Sequence, residues 1–388
     1  MMRRIAHLDM DAFYASVELL RYPQLAGLPL VVGGGRGPGP APGTPVQDFP
    51  RLRGYAGRGV ATTANYAARA FGVHSAMGLM KAAALAPDAI LLPADFDEYR
   101  RYSRRFKAAV AEIAPRIEDR GIDEIYIDLT DVPGDTLALA RRIKDAVWRA
   151  TGLVCSIGIT PNKLLAKIAS DLDKPDGLTV LTEIDVARRV WPLPARRLNG
   201  VGPKTNEKLE ALGIRTIGEL AAAAPDLLVR HFGSHHGQWL VAAAQGHDER
   251  PVVTETEPKS ISRETTFERD LDPRRDRDAL SRILLSLCDR LSRDLMRKGY
   301  RSRTIGIKLR YDDFRTVTRD TTLAAAIDDQ PAMVAAARDC LRRVALTRRL
   351  RLLGVRAGSL SRSDQPPKPL HPQFSSSGAD DVSLRLFD

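Results

Sequence analysis

The opening residues alternate polar and apolar side chains and then change to a helical period. RRIAHLDM has the two-residue repeat of a strand, and AFYASVELLRY spaces Phe13, Val17 and Leu20 at helical intervals. Asp9 therefore lies where a strand runs directly into a helix. Further on, PLVV and GVATTA predict strands, and YAARAFG predicts a short helix that Gly72 ends.

A second alternating region follows a long helix. DEYRRYSRRFKAAVAEIAP predicts an amphipathic helix stopped by Pro115, and RIEDRGIDEIYIDLTDV predicts the two strands of a hairpin. TLALARRIKDAVWRAT then predicts a helix, and VCSIGIT predicts another strand. Strands that alternate and pair with helices in this order predict an α+β core, up to about Thr182, whose carboxylates gather at strand ends.

The later half of the chain has a different pattern. From Asp185 to Gly246 short helices are broken by Gly and Pro, and DERPVVTETEPKS predicts an extended linker. Residues 259–360 then have the order β-α-β-β-α-β, which is the ferredoxin-like arrangement. After Leu360, SRSDQPPKPLHPQFSSSGADD has the composition of a disordered tether. We expect a multi-domain α+β protein, as a length of 388 residues also favours.

Charge is concentrated in one part of the chain. The formal net charge is +11, and residues 259–360 contain 24 Lys and Arg against 14 Asp and Glu, so the remainder is nearly neutral. Such an excess indicates a polyanionic partner, with nucleic acid as the first candidate. A merely solvated basic surface is the alternative.

Cysteine usage and hydropathy exclude several classes of protein. Cys155, Cys288 and Cys340 are far apart and have no paired spacing, so neither a disulfide framework nor a zinc site is indicated. No apolar run approaches the roughly 20 residues that span a bilayer. The start MMRRIAHLDMD also lacks the apolar stretch of a signal peptide. We therefore expect a cytoplasmic protein without a membrane span.

Four carboxylates lie at the ends of two predicted strands. Asp9 and Asp11 flank Met10, while Asp123 and Glu124 belong to GIDEIYID. Neighbouring like charges raise each other's pKa unless a cation neutralises them, so the pattern predicts Mg²⁺. Two such ions would stabilise both the attacking and the leaving oxygen of a phosphoryl transfer. For either pair alone, solvated surface acids are the alternative.

Candidate phosphate ligands surround these carboxylates in the sequence. The helix that begins near Ala12 offers backbone N–H groups and a positive dipole end to a triphosphate. Tyr66 and Arg69 share one helix face, and Lys167 and Lys174 in AKIASDLDKPDG add point charges. Taken alone, the Tyr66/Arg69 spacing is more often a surface pair, and the two lysines are more often ordinary helix-surface side chains.

The segment LNGVGPKTNEKLEALGIRTIGEL predicts a helix-hairpin-helix. Its G-V-G turn, with Gly200 and Gly202, lies between predicted helices and would present N–H groups and Lys204 to a DNA phosphate. Such contacts bind the backbone without reading bases. An ordinary helical hairpin is the alternative.

Five strings occur in one order between about Arg3 and Leu360, and together they resemble the Y-family DNA polymerases of the DinB or DNA polymerase IV type. They are HLDMDAFYASVE, ATTANYAARAFGV, GIDEIYIDLTD, LLAKIASDLDKPDG and NGVGPKT. The resemblance implies a right-hand polymerase with an added little finger. Its implied parts are a palm (1–12 and 94–184), fingers (13–93), a helical thumb (185–247), a linker (248–258), a little finger (259–360) and a disordered tail (361–388).

The resemblance also implies an activity and its partners. It implies template-directed, translesion synthesis of low fidelity and without proofreading, on primer-template DNA with dNTPs, by a monomer. Asp9, Asp123 and Glu124 match the catalytic, metal-binding carboxylates, with the Met10 carbonyl as a further ligand for two Mg²⁺ ions. Asp11 is then structural.

Nucleotide-binding residues are implied in the same way. Tyr66, Arg69 and Lys174 match the triphosphate-binding positions, with Lys167 as a secondary candidate. Tyr14 matches the steric gate, whose ring excludes a ribose 2′-hydroxyl. The segment from Ala12 and Phe13 to this ring would line the nucleotide.

Two internal features depart from the family pattern. Gly121 stands where the family often has Ser. The segment 33–59, GGGRGPGPAPGTPVQDFPRLRGYAGRG, is longer than the family's short fingers loop. Its composition favours a disordered insertion over a loop that reaches DNA through Arg51, Arg53 and Arg58.

The C-terminal SLRLF resembles the motif Q-L-x-L-F by which bacterial polymerases bind the sliding clamp, with Ser383 in place of Gln. Leu384, Leu386 and Phe387 would fill an apolar groove on the clamp. A tail with chance apolar residues is the alternative.

Two further hypotheses stay open at this point. A non-catalytic DNA- or clamp-binding adaptor on the same fold is the first, although the presence of all three carboxylates favours the enzyme. A polymerase that accepts ribonucleotides is the second, and Tyr14 opposes it.

Overall fold

A computed structural model describes residues 3–364 of the chain. The chain divides between Glu255 and Thr256 into two units. The first unit contains a five-stranded and a three-stranded sheet, and the second contains a four-stranded sheet.

The five-stranded sheet, here called the central sheet, has the order β5-β6-β1-β7-β8. Its strands are β1 (Ile5–Met10), β5 (Ile117–Asp119), β6 (Glu124–Asp128), β7 (Cys155–Thr160) and β8 (Leu178–Val180). Strand β1 pairs antiparallel with both β6 and β7. Asp9 is the one residue of β1 that is not buried, so the middle of the sheet carries a carboxylate at its end.

Three helices enclose the central sheet. On one face Leu8 shares a core with Phe106 of α4 (Phe96–Ala111) and Ile143 of α5 (Thr136–Thr151). Helix α6 (Lys163–Leu172) covers the other face. Each helix begins with an Asp or Asn whose side chain accepts a backbone hydrogen bond, the preferred N-terminal cap. The predicted helices α4 and α5 and the predicted hairpin are confirmed, whereas α6 was not predicted.

The three-stranded sheet has the order β3-β2-β4, with β2 (Leu30–Arg36), β3 (Ala61–Ala64) and β4 (Ile90–Ala94). Its helices are α1 (Phe13–Arg21), α2 (Tyr66–Arg69) and α3 (Leu79–Leu85). Strand β4 lies at an edge, where its Pro93 removes no ladder bond from the sheet interior. Neither β4 nor α3 was predicted.

Segment 33–59 is ordered, so the expectation of a disordered insertion is wrong. Phe49 is 2% exposed and Leu52 is fully buried. The Tyr22 hydroxyl donates to the Pro40 carbonyl at 2.6 Å. Two buried apolar side chains and this hydrogen bond hold a segment whose composition is that of a flexible loop.

Arg51 and Arg53, which were proposed to reach DNA from this segment, contact the protein itself. An Nη of Arg51 donates to the Asp88 carbonyl oxygen at 2.7 Å, and Arg53 pairs with the Asp88 carboxylate. These contacts favour an anchoring role for Arg51 and Arg53.

Four helices form the remainder of the first unit: α7 (Pro203–Ala211), α8 (Ile217–Ala222), α9 (Pro225–Phe232) and α10 (Ser234–Ala244). The G-V-G turn was predicted between two helices. The element before it is instead a single 3₁₀ turn, Ala195–Arg197. Gly200 has a φ of 121°, and a Cβ there would lie 2.6 Å from the Trp239 ring. The turn therefore needs glycine at this position.

The second unit has the predicted order β-α-β-β-α-β. Its elements are β9 (Ser260–Leu271), α11 (Arg277–Lys298), β10 (Tyr300–Tyr311), β11 (Thr316–Ile327), α12 (Gln330–Arg342) and β12 (Leu350–Arg362). The strands lie in the order β11-β10-β12-β9, and all three pairings are antiparallel. Both helices pack on one face, where Leu284 and Met333 meet Ile305 and Val355.

The predicted disordered tail begins at 361, which is wrong by at least two residues because Ser361 and Arg362 belong to β12. From 365 onward the tail lies outside the described residues, and so do the proposed clamp-binding side chains Leu384, Leu386 and Phe387. All three cysteines are described, and each is buried and free. No helix between residues 3 and 364 combines the length and apolar character needed to cross a bilayer.

Candidate active site

Three carboxylates from two distant parts of the chain lie at one end of the central sheet. Asp9 lies directly opposite Glu124 in the β1–β6 pairing, and Asp123 immediately precedes Glu124. The Met10 amide donates to the Asp123 carbonyl at 3.0 Å, which continues the pairing by one residue. Opposite residues of antiparallel strands place their Cβ atoms about 4.5–5.5 Å apart on one face. The register therefore brings Asp9 and Glu124 together, as the sequence predicted.

The electrostatics of this site favour a bound cation. Burial, together with the neighbouring carboxylates, raises the pKa of Asp9 and of Asp123. Contacts with His7 and Lys167 instead lower the pKa of Glu124 to about 2. Two of the three carboxylates are thus costly to ionise without a neighbouring positive charge.

Two lysines supply positive charge to the carboxylates in this structure. Lys174 Nζ lies 2.7 Å from an Asp9 oxygen, and Lys167 Nζ contacts Glu124. Burial alone would lower the pKa of Lys174. The attraction to the Asp9 carboxylate is stronger than this effect, so the pKa of Lys174 is raised. Both lysines were predicted as phosphate ligands, and both lie beside the carboxylates.

His7 belongs to the same site and was missed by the sequence analysis. Its ring is fully buried, with Nδ1 2.8 Å from Ser170 Oγ and Nε2 3.4 Å from a Glu124 oxygen. Burial lowers the pKa of His7. The two-residue period of a strand places His7 and Asp9 on one face of β1, so this period was the available signal.

Asp11 has a different environment from the other carboxylates. It is almost fully buried and accepts hydrogen bonds from the Tyr66 hydroxyl at 3.0 Å, the Ser156 hydroxyl at 3.0 Å and the Asp176 amide at 2.8 Å. Three donors satisfy a buried carboxylate without a metal ion. These contacts support the structural role expected for Asp11, and Ser156 is a partner that the sequence analysis did not name.

Tyr66 and Arg69 lie on α2 as predicted, although the phenol is not directed to solvent. Burial, and then the Asp11 carboxylate, raise the pKa of Tyr66, which keeps its hydroxyl protonated as a donor. The Arg69 guanidinium lies 5.0 Å above the Tyr66 ring, and its Nε donates to the Ala64 carbonyl at 2.9 Å. Arg69 is exposed, so its side chain is accessible to a ligand.

Tyr14 stands beside the carboxylates on the first turn of α1. Its ring is stacked on Tyr99 at a centroid distance of 4.3 Å and packs edge-on against Phe96 at 5.8 Å. Burial, and then the charge of Asp123, raise the pKa of Tyr14. The stacking fixes the ring in position.

The turn between Asp9 and the first helix is tightly constrained. Ala12 has φ 45° and ψ 44°, a left-handed conformation that is rare for a residue with a side chain. Helix α1 begins at the next residue, Phe13. Because the first N–H groups of a helix have no intrahelical partner, the turn places such donors three to six residues after Asp9.

The donor set fits a hard divalent cation. Within residues 3–364, no three His, Cys, Asp or Glu side chains are gathered closely enough to hold an ion as they stand. Lys174 and Lys167 contact Asp9 and Glu124 instead. Carboxylate and carbonyl oxygens are the ligands that Mg²⁺ and similar ions prefer. Because burial raises the pKa of Asp9 and Asp123, a nearby cation would stabilise their ionised forms.

The residues proposed for DNA contact lie around the start of α7. Gly202 precedes the helix and Pro203 occupies its first position, which is favourable for proline. Lys204 follows in the first turn and is exposed. The turn and the lysine thus share one surface.

The central sheet with its paired carboxylates, the helical region and the basic β-α-β-β-α-β unit together define a right-hand nucleotidyltransferase of the Y-family type. Residues 8–171 match the model of the impB/mucB/samB family and residues 258–370 match that family's C-terminal domain. Residues 196–248 match the thumb domain of DNA polymerase-iota.

Individual relatives agree with these models. The chain is 41% identical over 320 residues to DNA polymerase IV of Alkalilimnicola ehrlichii, covering 82% of this chain and 84% of that protein. It is 39% identical over 361 residues to DNA polymerase IV of Methanoculleus marisnigri, covering 92% and 94%. A solved Y-family DNA polymerase chimera of Dbh and Dpo4 superposes with a TM-score of 0.76 at 27% identity, covering 92% of this chain and 98% of the chimera.

The chain belongs to the DNA polymerase IV family of Y-family polymerases. It is a DNA-directed DNA polymerase of the translesion type, its substrates are DNA and nucleotides, and enzymes of this class depend on metal ions. The predicted fold class and activity are confirmed, and nothing in the comparisons supports the adaptor hypothesis.

Proposed function

We propose that the polymerase adds deoxynucleotides to a primer 3′-hydroxyl with two Mg²⁺ ions held by Asp9, Asp123, Glu124 and the Met10 carbonyl. The observation that carries the proposal is the register that places Asp9 opposite Glu124 and next to Asp123. When bound, such ions acidify the attacking hydroxyl and neutralise charge on the phosphates.

The two lysines have a second task in this proposal. Lys174 and Lys167 balance the charge of Asp9 and Glu124 in the structure. Lysine carries its charge on a long flexible stem, so each ammonium group can transfer to a nearby phosphate. Lys174 and Arg69 would then bind the triphosphate, and the Tyr66 ring would orient the Arg69 guanidinium toward it.

Tyr14 is proposed as the steric gate. Its ring is immobilised by Tyr99 and Phe96, and a fixed ring excludes a 2′-hydroxyl more effectively than a mobile one. The selection of deoxynucleotides over ribonucleotides would thus depend on the packing of Tyr99 and Phe96 around the Tyr14 ring.

The remaining assignments follow the family. We assign the palm to 1–12 and 94–184, the fingers to 13–93, the thumb to 185–247 and the little finger to 259–360. Gly200, Gly202 and Lys204 would contact the DNA backbone, and the basic second unit would supply further phosphate contacts whose strength falls with salt. The tail would bind a sliding clamp through Leu384, Leu386 and Phe387.

Primer extension by Asp9→Ala and Glu124→Ala tests the catalytic assignment. Each substitution removes an oxygen ligand, so extension should fall about a hundredfold or more, while anisotropy should show unchanged primer-template affinity. Asp131→Ala is the matched control, because Asp131 is 71% exposed and pairs only with Arg116 among the ion pairs described. Full extension by both Asp9→Ala and Glu124→Ala would refute the assignment.

A further inference from the structure

The sheet of the second unit has one face that no helix of that unit covers. Helices α11 and α12 pack against Ile305, Ile307 and Val355, so the alternate residues of the same strands point to the opposite, open face. That face carries Lys308 of β10 and Arg356 of β12. Two cations of the most basic segment in the chain therefore lie on this face.

Arg356 reaches across a glycine to a carboxylate. Gly306 of β10 lies between Arg356 of β12 and Asp320 of β11 in the sheet register. The Arg356 guanidinium is 3.1 Å from Asp320 Oδ1. A Cβ atom at position 306 would collide with that oxygen, so the ion pair requires glycine beneath it.

Lys308 makes the mirror-image contact in the next row of the sheet. Gly354 of β12 lies between Lys308 of β10 and Glu264 of β9. Lys308 Nζ is 2.8 Å from a Glu264 oxygen, and a Cβ at position 354 would lie 2.8 Å from the Glu264 Cβ. The two cations thus reach in opposite directions, each across a glycine.

A depression of about 340 Å³ lies over these two rows, and Ser262 and Thr318 complete its rim. The four charged side chains remain between 34% and 50% exposed. Exposed pairs of this kind are weak, so a phosphate oxygen can displace the carboxylate from either cation. Charged and hydroxyl side chains line the depression, and it is large enough to admit a phosphate.

We propose that Asp320 and Glu264 are built-in competitors of DNA phosphate, which occupy Arg356 and Lys308 until the backbone displaces them. The inference rests on the proposed DNA contact of the second unit and assigns two acidic residues to it. Their effect is to lower the affinity of the polymerase for primer-template and to reduce its salt dependence, because a fixed carboxylate replaces a counterion that binding would release.

Fluorescence anisotropy of the full chain on a primer-template, over a series of salt concentrations, tests the proposal. Asp320→Asn and Glu264→Gln should each tighten binding about two- to fivefold, the range of an exposed ion pair. The slope of log affinity against log salt should steepen by about 0.9 for each cation released. Replacing Arg356 and Lys308 by Gln should weaken binding and flatten the same slope.

Asp339→Asn is the matched control. Asp339 pairs with Arg342 on α12, away from the open face, and the substitution changes the net charge equally. If Asp339→Asn tightens DNA binding as much as the two test variants do, the effect is one of net charge and the proposal is wrong. Unchanged DNA binding by the Gln variants of Arg356 and Lys308 would also overturn it. If the wild-type chain extends primers but the two carboxylate variants bind no tighter than Asp339→Asn, this proposal is refuted and the proposed function is not. A wild-type chain without extension removes the proposed function.

Discussion

Asp9 and Glu124 of the central sheet and Asp320 and Glu264 of the second unit's open face are all paired with cations, yet their surroundings differ. Asp9 is 20% exposed and burial raises its pKa, whereas Asp320 is 44% exposed and faces solvent. Removing a partner from the first pair leaves a poorly hydrated charge, while water replaces a partner in the second. Substitutions in the central sheet should therefore have larger consequences than those on the open face.

Lys174→Ala should have the largest effect of the changes around the carboxylates. It removes both the charge beside Asp9 and a phosphate ligand, so kcat/KM for dNTP should fall about ten- to a hundredfold, a loss of roughly 1.4–3 kcal/mol. Single-nucleotide incorporation measures it. Lys81→Ala, an exposed lysine on α3, is the control. Equal kcat/KM in the two variants contradicts the assignment of Lys174.

Tyr14→Ala should relax sugar selection. Loss of the ring opens space under the sugar, so the preference for dNTP over rNTP should fall at least about tenfold. The ratio of kcat/KM for the two nucleotides gives the result. Tyr102→Ala, on α4, removes a ring packed between Arg101 and Arg105 and should leave the ratio unaltered. If Tyr14→Ala keeps the preference for dNTP over rNTP, Tyr14 is not the steric gate.

Ser170→Ala tests the support behind Glu124. Loss of the hydroxyl leaves His7 without its Nδ1 partner, so the Mg²⁺ concentration for half-maximal extension should rise about tenfold, as for other indirect ligand supports. Ser103→Ala is a comparably buried control, with Ser170 2% and Ser103 5% exposed. Identical Mg²⁺ dependence of both variants would show that His7 serves packing only.

Asp123→Asn should have the smallest effect, on stability. Because the folded-state pKa of Asp123 is raised above 3.8, the folded chain loses stability as pH rises from that unfolded value through the raised pKa. Removing the charge should thus raise the melting temperature at pH 7 in EDTA by about 2–4 °C. In Mg²⁺ the gain should vanish. A lower melting temperature in EDTA contradicts the electrostatic account.

Local pattern predicted most elements because each was encoded within a few residues. Helix α5 and the strand β7 have regular periods. Strand β4 was missed because its few residues contain Pro93 and follow a short helix. Segment 33–59 was misjudged because Phe49 and Leu52 act through contacts with the rest of the unit, and composition does not encode such contacts.

The candidate site was predictable in part for the same reason. Asp9, Asp123 and Glu124 could be predicted because they lie at the ends of predicted strands. The strand register then places Asp9 opposite Glu124. The partnership of Ser170 with His7 joins positions 163 residues apart. A pattern within a few residues cannot predict a contact between positions so far apart in sequence. The contact forms only because α6 packs on β1.

Asp11 fastens three separate stretches of the first unit: α2 through Tyr66, β7 through Ser156, and the loop after α6 through the Asp176 amide. Removing any one donor takes a hydrogen bond from a nearly buried carboxylate, which costs about 1–3 kcal/mol. One carboxylate thereby connects the three stretches, so a displacement of α2 would be transmitted to the loop that carries Lys174.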